Sequence, residues 1–259
     1  MSDHGLRAVS VNLGGAFRKH HDGAIGPDAW AERHATEYDI VFAQEVPDED
    51  WLRRWPGLTV VRHTAGETYR TKSALLVRRG EVPDVAQPEV VTAAYHGSYV
   101  ATAVTDLSGI GSVRLMSIHA SPNRVSADWQ QQWTACGVEL PDERTCGRWD
   151  ADLLLETVRI AAIDVGGVIA AGDWNEARAW DRKYLDGGGV EFFEKVEAVG
   201  AARLVDVCCP GGTDGAPTRG DLRIDHVFAS PSVSDMIEVT GLCADRPADH
   251  HPVEFTIRL

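Results

Sequence analysis

The chain has 259 residues, of which 44% are hydrophobic and 25% charged, values that predict a globular protein and exclude wholesale disorder. A formal net charge of −14 argues against tight, non-specific binding to a polyanion such as DNA. No apolar run approaches the ~18 residues of a membrane span. The five cysteines are odd in number and irregularly spaced, which predicts reduced thiols in a cytoplasmic protein.

Short β-type runs recur along the whole chain, and many alternate apolar with polar or small residues, as half-buried strands do. The predicted strands are Leu6–Asn12, Asp39–Ala43, Leu58–Arg62, Ser73–Arg78, Tyr99–Asp106, Val113–His119, Gly167–Ala171, Arg223–Ala229 and Val253–Leu259. The predicted helices are Pro27–Glu37, Arg124–Ala135, Trp149–Asp164 and Gly189–Gly200. Because strands dominate without regular βαβ alternation, the pattern favours two packed sheets flanked by helices, in one domain over residues 1–259.

Acidic, amide and His side chains lie at or next to the ends of several predicted strands, where a rigid scaffold can hold a site. Each alone has an ordinary explanation: Glu45 as a solvated loop acid, Asn12 as a turn residue, His119 as a buried core His. Together they can converge as a hard-oxygen site for Mg²⁺ or Mn²⁺, with His beside Asp for acid–base work. The set is Asn12, Glu45, His119, Asp173, Asn175, Asp225, His226, Asp249, His250 and His251.

The order of these residues resembles the motifs of the endonuclease/exonuclease/phosphatase superfamily, which includes pancreatic-type deoxyribonucleases, abasic-site endonucleases, neutral sphingomyelinases and inositol polyphosphate 5-phosphatases. The resemblance covers almost the whole chain. It implies a four-layered α/β sandwich, in which two mixed, mostly antiparallel sheets pack face to face and are flanked by helices. It rests on Asn12, Gln44-Glu45, Ser117–Pro122, Gly172-Asp-Trp-Asn175, Arg223-Ile-Asp-His226 and Ala248-Asp-His-His-Pro252.

The resemblance implies a divalent cofactor, Mg²⁺ or Mn²⁺, held mainly by Glu45 at a site that Asn12 supports. Asp249 matches either a second carboxylate on the metal side or the group that orients its neighbour His250. Ala248 departs from the family pattern, S-D-H-x-P, in which a Ser occupies this position.

The resemblance also implies that water attacks phosphorus in line, while the protein positions groups and stabilises charge. Asp173 resembles the Asp that positions or deprotonates this water, and Asn175 would donate its amide to a phosphate oxygen. His119 could protonate the leaving oxygen, and Asp225 would orient the network. His250 would contact the phosphate or share in the proton transfer.

A basic cluster follows Asn12 in the segment Gly14–His21. Its residues Arg18 and Lys19 are candidates for binding a further phosphate of the substrate. The alternative is that the segment is a solvated loop without a part in binding.

We therefore expect a monomeric, Mg²⁺-dependent hydrolase of phosphoester bonds, most simply a phosphodiesterase or nuclease, with nucleic acid as one candidate partner. Two alternatives stay open: an enzyme for a small phosphorylated molecule (an inositol phosphate, a phospholipid head group or a nucleotide), and an inactive binding module of the same fold. A zinc enzyme is disfavoured, because the adjacent His pairs would point to opposite faces of a strand and no His/Cys set accompanies them.

Overall fold

The computed structural model describes residues 5–14, 21–47, 49–62, 72–78, 100–107, 109–135, 140–180, 188–198, 203–210, 212 and 214–259. Within these ranges the chain forms eleven strands and six helices. The strands are β1 (Leu6–Asn12), β2 (Ile40–Val46), β3 (Leu58–Arg62), β4 (Lys72–Arg78), β5 (Val100–Leu107), β6 (Gly111–His119), β7 (Gly167–Asp173), β8 (Val205–Asp206), β9 (Asp225–Ala229), β10 (Ile237–Leu242) and β11 (Val253–Ile257). The helices are α1 (Pro27–His34), α2 (Glu49–Leu52), α3 (Ala127–Ala135), α4 (Asp150–Ala161), α5 (Gly189–Glu197) and α6 (Pro231–Ser234).

The strands form two mixed sheets. The first has six strands in the order β10-β11-β1-β2-β4-β3, and the second has five in the order β5-β6-β7-β9-β8. The pairs β1–β2 and β6–β7 are parallel, and every other neighbouring pair in the described sheets is antiparallel. This confirms the predicted pair of mixed, mostly antiparallel sheets.

Alternation along the strands divides the apolar side chains between two faces of each sheet. In β2, Ile40 and Phe42 point into the core between the sheets, whereas Val41 and Ala43 point to the helical side. The core between the sheets also includes Leu6, Leu75, Leu115, Ile169 and Phe255. The two sheets therefore pack face to face over an apolar layer that excludes water.

Helices cover the outer face of each sheet. Trp30 of α1 packs in one cluster with Val41 of the first sheet. On the other side, Leu154 and Val158 of α4 and Phe192 of α5 pack against the second sheet. The order of layers is thus helix, sheet, sheet, helix, which confirms the four-layered sandwich.

The two parallel pairs bring strand ends with polar residues to the same edges of the sheets. Asn12 of β1 is in register with Gln44 of β2, one residue before Glu45. In the second sheet, His119 of β6 is in register with Asp173 of β7, which in turn pairs with Asp225 of β9. The register alone therefore places the predicted site residues side by side.

Some elements differ from the sequence-based prediction. Helix α1 ends at His34 instead of Glu37, and α4 ends at Ala161 instead of Asp164. The strands β8 and β10 and the short helices α2 and α6 were not predicted. Both added strands lie at sheet edges.

Two general expectations can be compared with the described residues. No helix in the described part of the chain is long and apolar enough to span a membrane. Four of the five cysteines are described, namely Cys146, Cys208, Cys209 and Cys243, and all four are free thiols. The free thiols are consistent with the predicted reduced state.

Candidate active site

Glu45 reaches the site from an irregularity in β2. The pairing of β2 with β4 shifts between Ala43 and Val46, and Glu45 has a φ of 49°, a left-handed conformation that is uncommon for residues other than glycine. A bulge of this kind bends a strand and re-aims its side chains. The Glu45 carboxylate is consequently directed towards the ends of β6 and β7, where its Oε1 lies 3.5 Å from Nε2 of His119.

Asp173 lies at the end of β7 and is almost fully buried. Its Oδ1 accepts a hydrogen bond of 2.9 Å from the backbone N–H of Asn175, and its Oδ2 accepts one of 2.9 Å from Nδ2 of Asn12. Asn175, like Glu45, has a φ of 49°. A Cβ at Gly172 would come within 1.9 Å of the Ile118 carbonyl oxygen, so only glycine allows β7 to approach β6 here.

Asn12 connects the carboxylates of the two sheets. Its Nδ2 donates to Oδ2 of Asp173 and, at 3.3 Å, to Oε1 of Glu45. Its Oδ1 accepts a hydrogen bond of 2.9 Å from the backbone N–H of Gly14. The Asn12 amide thus holds the carboxylates of Glu45 and Asp173 close together.

His250 pairs with Asp225. The Nδ1 of His250 lies 2.8 Å from Oδ2 of Asp225, and its Nε2 lies 3.8 Å from Oδ2 of Asp173. Burial alone would lower the pKa of His250, but the carboxylates of Asp225 and Asp173 raise the pKa to about 9. The carboxylates around the buried His250 therefore favour its protonated form, and its Nε2 is directed towards Asp173.

Burial also changes the pKa values of the two residues at the ends of β6 and β7. It raises the pKa of Asp173 to about 7, and the nearby negative charge of Asp225 contributes to the increase. It lowers the pKa of His119, although the Glu45 carboxylate acts in the opposite direction. Both shifts have the direction that burial predicts, and for Asp173 the positive charge of His250 acts against it.

Asp249 lies at the mouth of the site. Its Oδ2 accepts a hydrogen bond of 2.8 Å from Nε of Arg219, and its Oδ1 is 4.0 Å from Nε2 of His250. The resemblance left two roles open for Asp249, and one was to orient His250; the carboxylate bound to Nδ1 of His250 is that of Asp225. Arg219 was not predicted from the sequence, in which it stands alone in a polar loop.

Arg18, Lys19, Asn175 and Trp174 remain of the residues that the sequence motifs and the basic cluster singled out. Arg18 and Lys19 lie outside the described residues, so their proposed role in binding stays a prediction. Asn175 uses one amide N–H, at 2.7 Å, on the carbonyl oxygen of Ala120. Trp174 is fully buried, with its ring centroid 4.7 Å from that of Phe228, and packs in the core.

His226 belongs to the same motif as Asp225 but points to the other face of β9, as neighbours in a strand do. Its Nδ1 is 3.1 Å from Oδ2 of Asp206, and its Nε2 is 3.1 Å from the carbonyl oxygen of Glu176. Both ring nitrogens thus face acceptors within the protein. His226 and Asp206 form a structural pair beneath the site.

The donor set at the edge of the sheets fits a divalent cation. The ligand atoms of Glu45, His119 and Asp173 all lie within 4.8 Å of one another, as do those of Asp173, Asp225 and His250. Carboxylate oxygens are the ligands that Mg²⁺ and Mn²⁺ prefer. A cation would also offset the cost of burying several carboxylates together.

No protein-family model matches the sequence, and no curated protein matches it. Solved structures do match almost the whole chain. A 3'-5' exonuclease (NExo) from Neisseria meningitidis is 17% identical with a TM-score of 0.64, covering 98% of this chain and 100% of that one. The endonuclease domain of TRAS1, a telomere-specific non-LTR retrotransposon, is 19% identical with a TM-score of 0.61, covering 99% of both chains. A truncated Caenorhabditis elegans TDP2 is 18% identical with a TM-score of 0.58, covering 98% of both chains.

The chain therefore shares the fold of these solved structures, in line with the fold that the sequence motifs implied. Similarity at this level of identity concerns the fold. Function depends on the chemistry of the chain's own site.

Proposed function

We propose that this chain is a divalent-metal-dependent phosphoesterase that hydrolyses phosphodiesters, most simply as a nuclease. The observation that carries the proposal is the convergence of two carboxylates with two His side chains at one edge of the facing sheets. Glu45 and Asp173 supply the carboxylates, while His119 and His250 lie 3.5 and 3.8 Å from them, respectively. Acids, neutral imidazole and imidazolium together suit the cleavage of a bond to phosphorus.

The proposed cofactor is Mg²⁺ or Mn²⁺, held mainly by Glu45. When bound, the cation would act as a Lewis acid and neutralise charge on a phosphate oxygen. Asn12 keeps the carboxylates of Glu45 and Asp173 at a fixed separation, because its Nδ2 donates to both. Asp249 stays a candidate for the second carboxylate on the metal side.

Asp173 is proposed to hold the attacking water and to accept its proton. Hydrogen bonds from Asn12 and Asn175 fix both oxygens of this carboxylate, so its orientation is set before substrate arrives. The 3.8 Å between its Oδ2 and Nε2 of His250 is too long for a direct hydrogen bond. We propose that a substrate oxygen or water is bound between them.

The two His residues have different proposed roles. His250, charged and directed by Asp225, donates from Nε2 to a phosphate oxygen and stabilises the negative charge that develops there. His119 has a lowered pKa and is neutral, so we propose that it hydrogen-bonds the leaving oxygen instead of delivering a stored proton. Asn175 has a second amide N–H that can donate to phosphate.

A small phosphorylated molecule is the second candidate substrate. The net charge of −14 favours it, because a long polyanion experiences the field of the whole protein whereas a small ester experiences mainly the local site. Comparing the hydrolysis of nucleic acids with that of small phosphate esters distinguishes the two candidate substrates.

The test is hydrolysis of plasmid DNA, single-stranded DNA, RNA, bis-p-nitrophenyl phosphate, inositol polyphosphates and sphingomyelin, with Mg²⁺, Mn²⁺ or EDTA. We expect metal-dependent turnover of bis-p-nitrophenyl phosphate and of a nucleic acid. Asp173→Asn should lower kcat by about 10²–10⁴-fold. Asp106→Asn, an exposed position in the second sheet, is the matched control and should keep near wild-type turnover. Turnover of none of the substrates, or equal turnover by the two variants, would contradict the proposal.

A further inference from the structure

The turn that precedes β9 is fixed to the site at several points. Thr218 is fully buried, and its Oγ1 accepts hydrogen bonds from the backbone N–H groups of Ile224, at 3.1 Å, and Asp225, at 3.2 Å. Its carbonyl oxygen accepts a hydrogen bond of 2.8 Å from the backbone N–H of His251. The next residue, Arg219, pairs with Leu222 through two backbone hydrogen bonds of 3.0 Å. The backbone of Arg219 is therefore held relative to both Asp225 and His251.

The Arg219 side chain is held by one carboxylate and is otherwise open to solvent. Its Nε donates to Oδ2 of Asp249 at 2.8 Å, and half of the side chain is exposed. The two terminal nitrogens make no hydrogen bond with any other residue that the structure describes. A guanidinium fixed through Nε presents these terminal N–H groups as a fork, a geometry that matches phosphate oxygens.

Asp249 lies between this guanidinium and the residues of the proposed active site. Its other oxygen, Oδ1, lies 4.0 Å from Nε2 of His250, which faces Asp173. Nε2 of His21 is 3.9 Å from the same oxygen of Asp249. Asp249 thus lies between Arg219 and His250, with Arg219 on the solvent side. The part of a substrate beyond the scissile ester would extend towards Arg219.

We propose that Arg219 forms a subsite for a second phosphate group, next to the phosphate that is cleaved. This inference rests on the proposed function and makes its substrate more specific: a phosphoester that carries another phosphate nearby, as in a nucleic acid strand or a nucleoside bisphosphate. In a chain with a net charge of −14, a fixed cation at the mouth of the site selects such substrates. Asp249 is the positioning residue for the guanidinium.

The experiment measures inhibition of bis-p-nitrophenyl phosphate hydrolysis at constant free Mg²⁺. The inhibitors are thymidine 5′-monophosphate, thymidine 3′-monophosphate and thymidine 3′,5′-bisphosphate. The variants are Arg219→Gln and Arg219→Lys. The control is Arg258→Gln, which removes an exposed Arg that follows β11. This end of β11 pairs with the start of β1, away from Asn12 and the site.

In the wild type we expect the bisphosphate to inhibit at least about tenfold more strongly than either monophosphate, since it gains a charge-assisted hydrogen bond. Arg219→Gln should remove most of this preference, Arg219→Lys should keep part of it, and Arg258→Gln should keep all of it. An indirect effect through Asp249 would weaken all three inhibitors equally and leave the preference unchanged, which would overturn the inference. Absence of a preference in the wild type would overturn it too, whereas no hydrolysis of bis-p-nitrophenyl phosphate would count against the proposed function itself.

Discussion

His250 is held by a carboxylate that lies 25 residues earlier in the chain. Because Nδ1 donates to Asp225, the imidazole ring has a fixed orientation, and its Nε2 faces Asp173. The same carboxylate is the largest of the charges that raise the pKa of His250 towards 9 against the effect of burial. The pair therefore works as a unit, in which Asp225 supplies both the orientation and the charge of the imidazolium.

This coupling predicts non-additive effects. Asp225→Asn and His250→Gln should each lower kcat for bis-p-nitrophenyl phosphate by about 10²–10⁴-fold, because each removes the oriented imidazolium. The double variant should be no slower than the slower single variant. Losses that multiply in the double variant would show that the two residues act independently. Circular dichroism of all three variants checks that the fold is kept.

Which residues converge at the candidate site could be predicted from the sequence, but their pairings could not. Glu45, His119 and Asp173 are recognisable because polar residues at strand ends are unusual in an apolar pattern. The resemblance left Asp249 open as the group that orients His250, whereas the structure pairs His250 with Asp225, at the start of β9. The contact between Arg219 and Asp249 depends on the path of a loop, for which the sequence has no periodic pattern.

At the scale of whole elements, the bulge that carries Glu45 is fixed by contacts between the sheets. Nε2 of Gln44 donates to Oγ of Ser117 on β6 at 3.0 Å, and that hydroxyl donates to the carbonyl oxygen of Ala43 at 3.0 Å. Gln44 and Ser117 are completely buried. These bonds connect β2 to β6 across the core, next to Glu45 and two residues before His119.

Removing the Ser117 hydroxyl should therefore destabilise the fold. Ser117→Ala removes two buried hydrogen bonds and leaves Nε2 of Gln44 with only its bond to the Phe42 carbonyl oxygen, so we expect the free energy of unfolding to fall by about 1–3 kcal/mol. Ser112→Ala, at a half-exposed position of the same strand, should change it by less than about 0.5 kcal/mol. Urea denaturation measures both values. Equal stability of the two variants would show that the contact between the sheets contributes little.

Strands with clear alternation were predicted well, because one face of each is buried. The bounds of β1 and β3 agree with the prediction, and β4, β5 and β6 differ by one or two residues. Strand β10 was missed although Ile237 and Val239 alternate with polar residues, so its pattern contained a usable signal. The two-residue β8 is too short for periodicity to reveal it. The bulge at Glu45 has no sequence signature, since it follows from pairing with β4.

The whole molecule and the site both carry an excess of negative charge, and in both the repulsion between these charges destabilises the folded state. A net charge of −14 spreads repulsion over the surface, and the site adds the carboxylates of Glu45, Asp173, Asp225 and Asp249 at one edge of the sheets. The imidazolium of His250 and the guanidinium of Arg219 offset part of this charge. The folded state should consequently gain stability from any cation that binds specifically among these carboxylates.

We therefore expect Mg²⁺ or Mn²⁺ to raise the Tm. A ligand present at about 100 times its Kd stabilises the folded state by about 2.7 kcal/mol, which corresponds to several degrees for a chain of this length. Differential scanning calorimetry at increasing MgCl₂ would measure it. NaCl at matched ionic strength screens the net charge but does not occupy a divalent site, so it should produce a smaller shift.

Two variants separate binding at the site from a general effect of charge. Glu45→Gln removes the main proposed ligand and should abolish most of the rise in Tm, because a neutral amide is a poorer ligand for a hard cation. Glu238→Gln removes an exposed carboxylate on β10 and should leave the rise unchanged. If both variants respond to Mg²⁺ as the wild type does, the stabilisation comes from the surface as a whole, and Glu45 does not hold the metal.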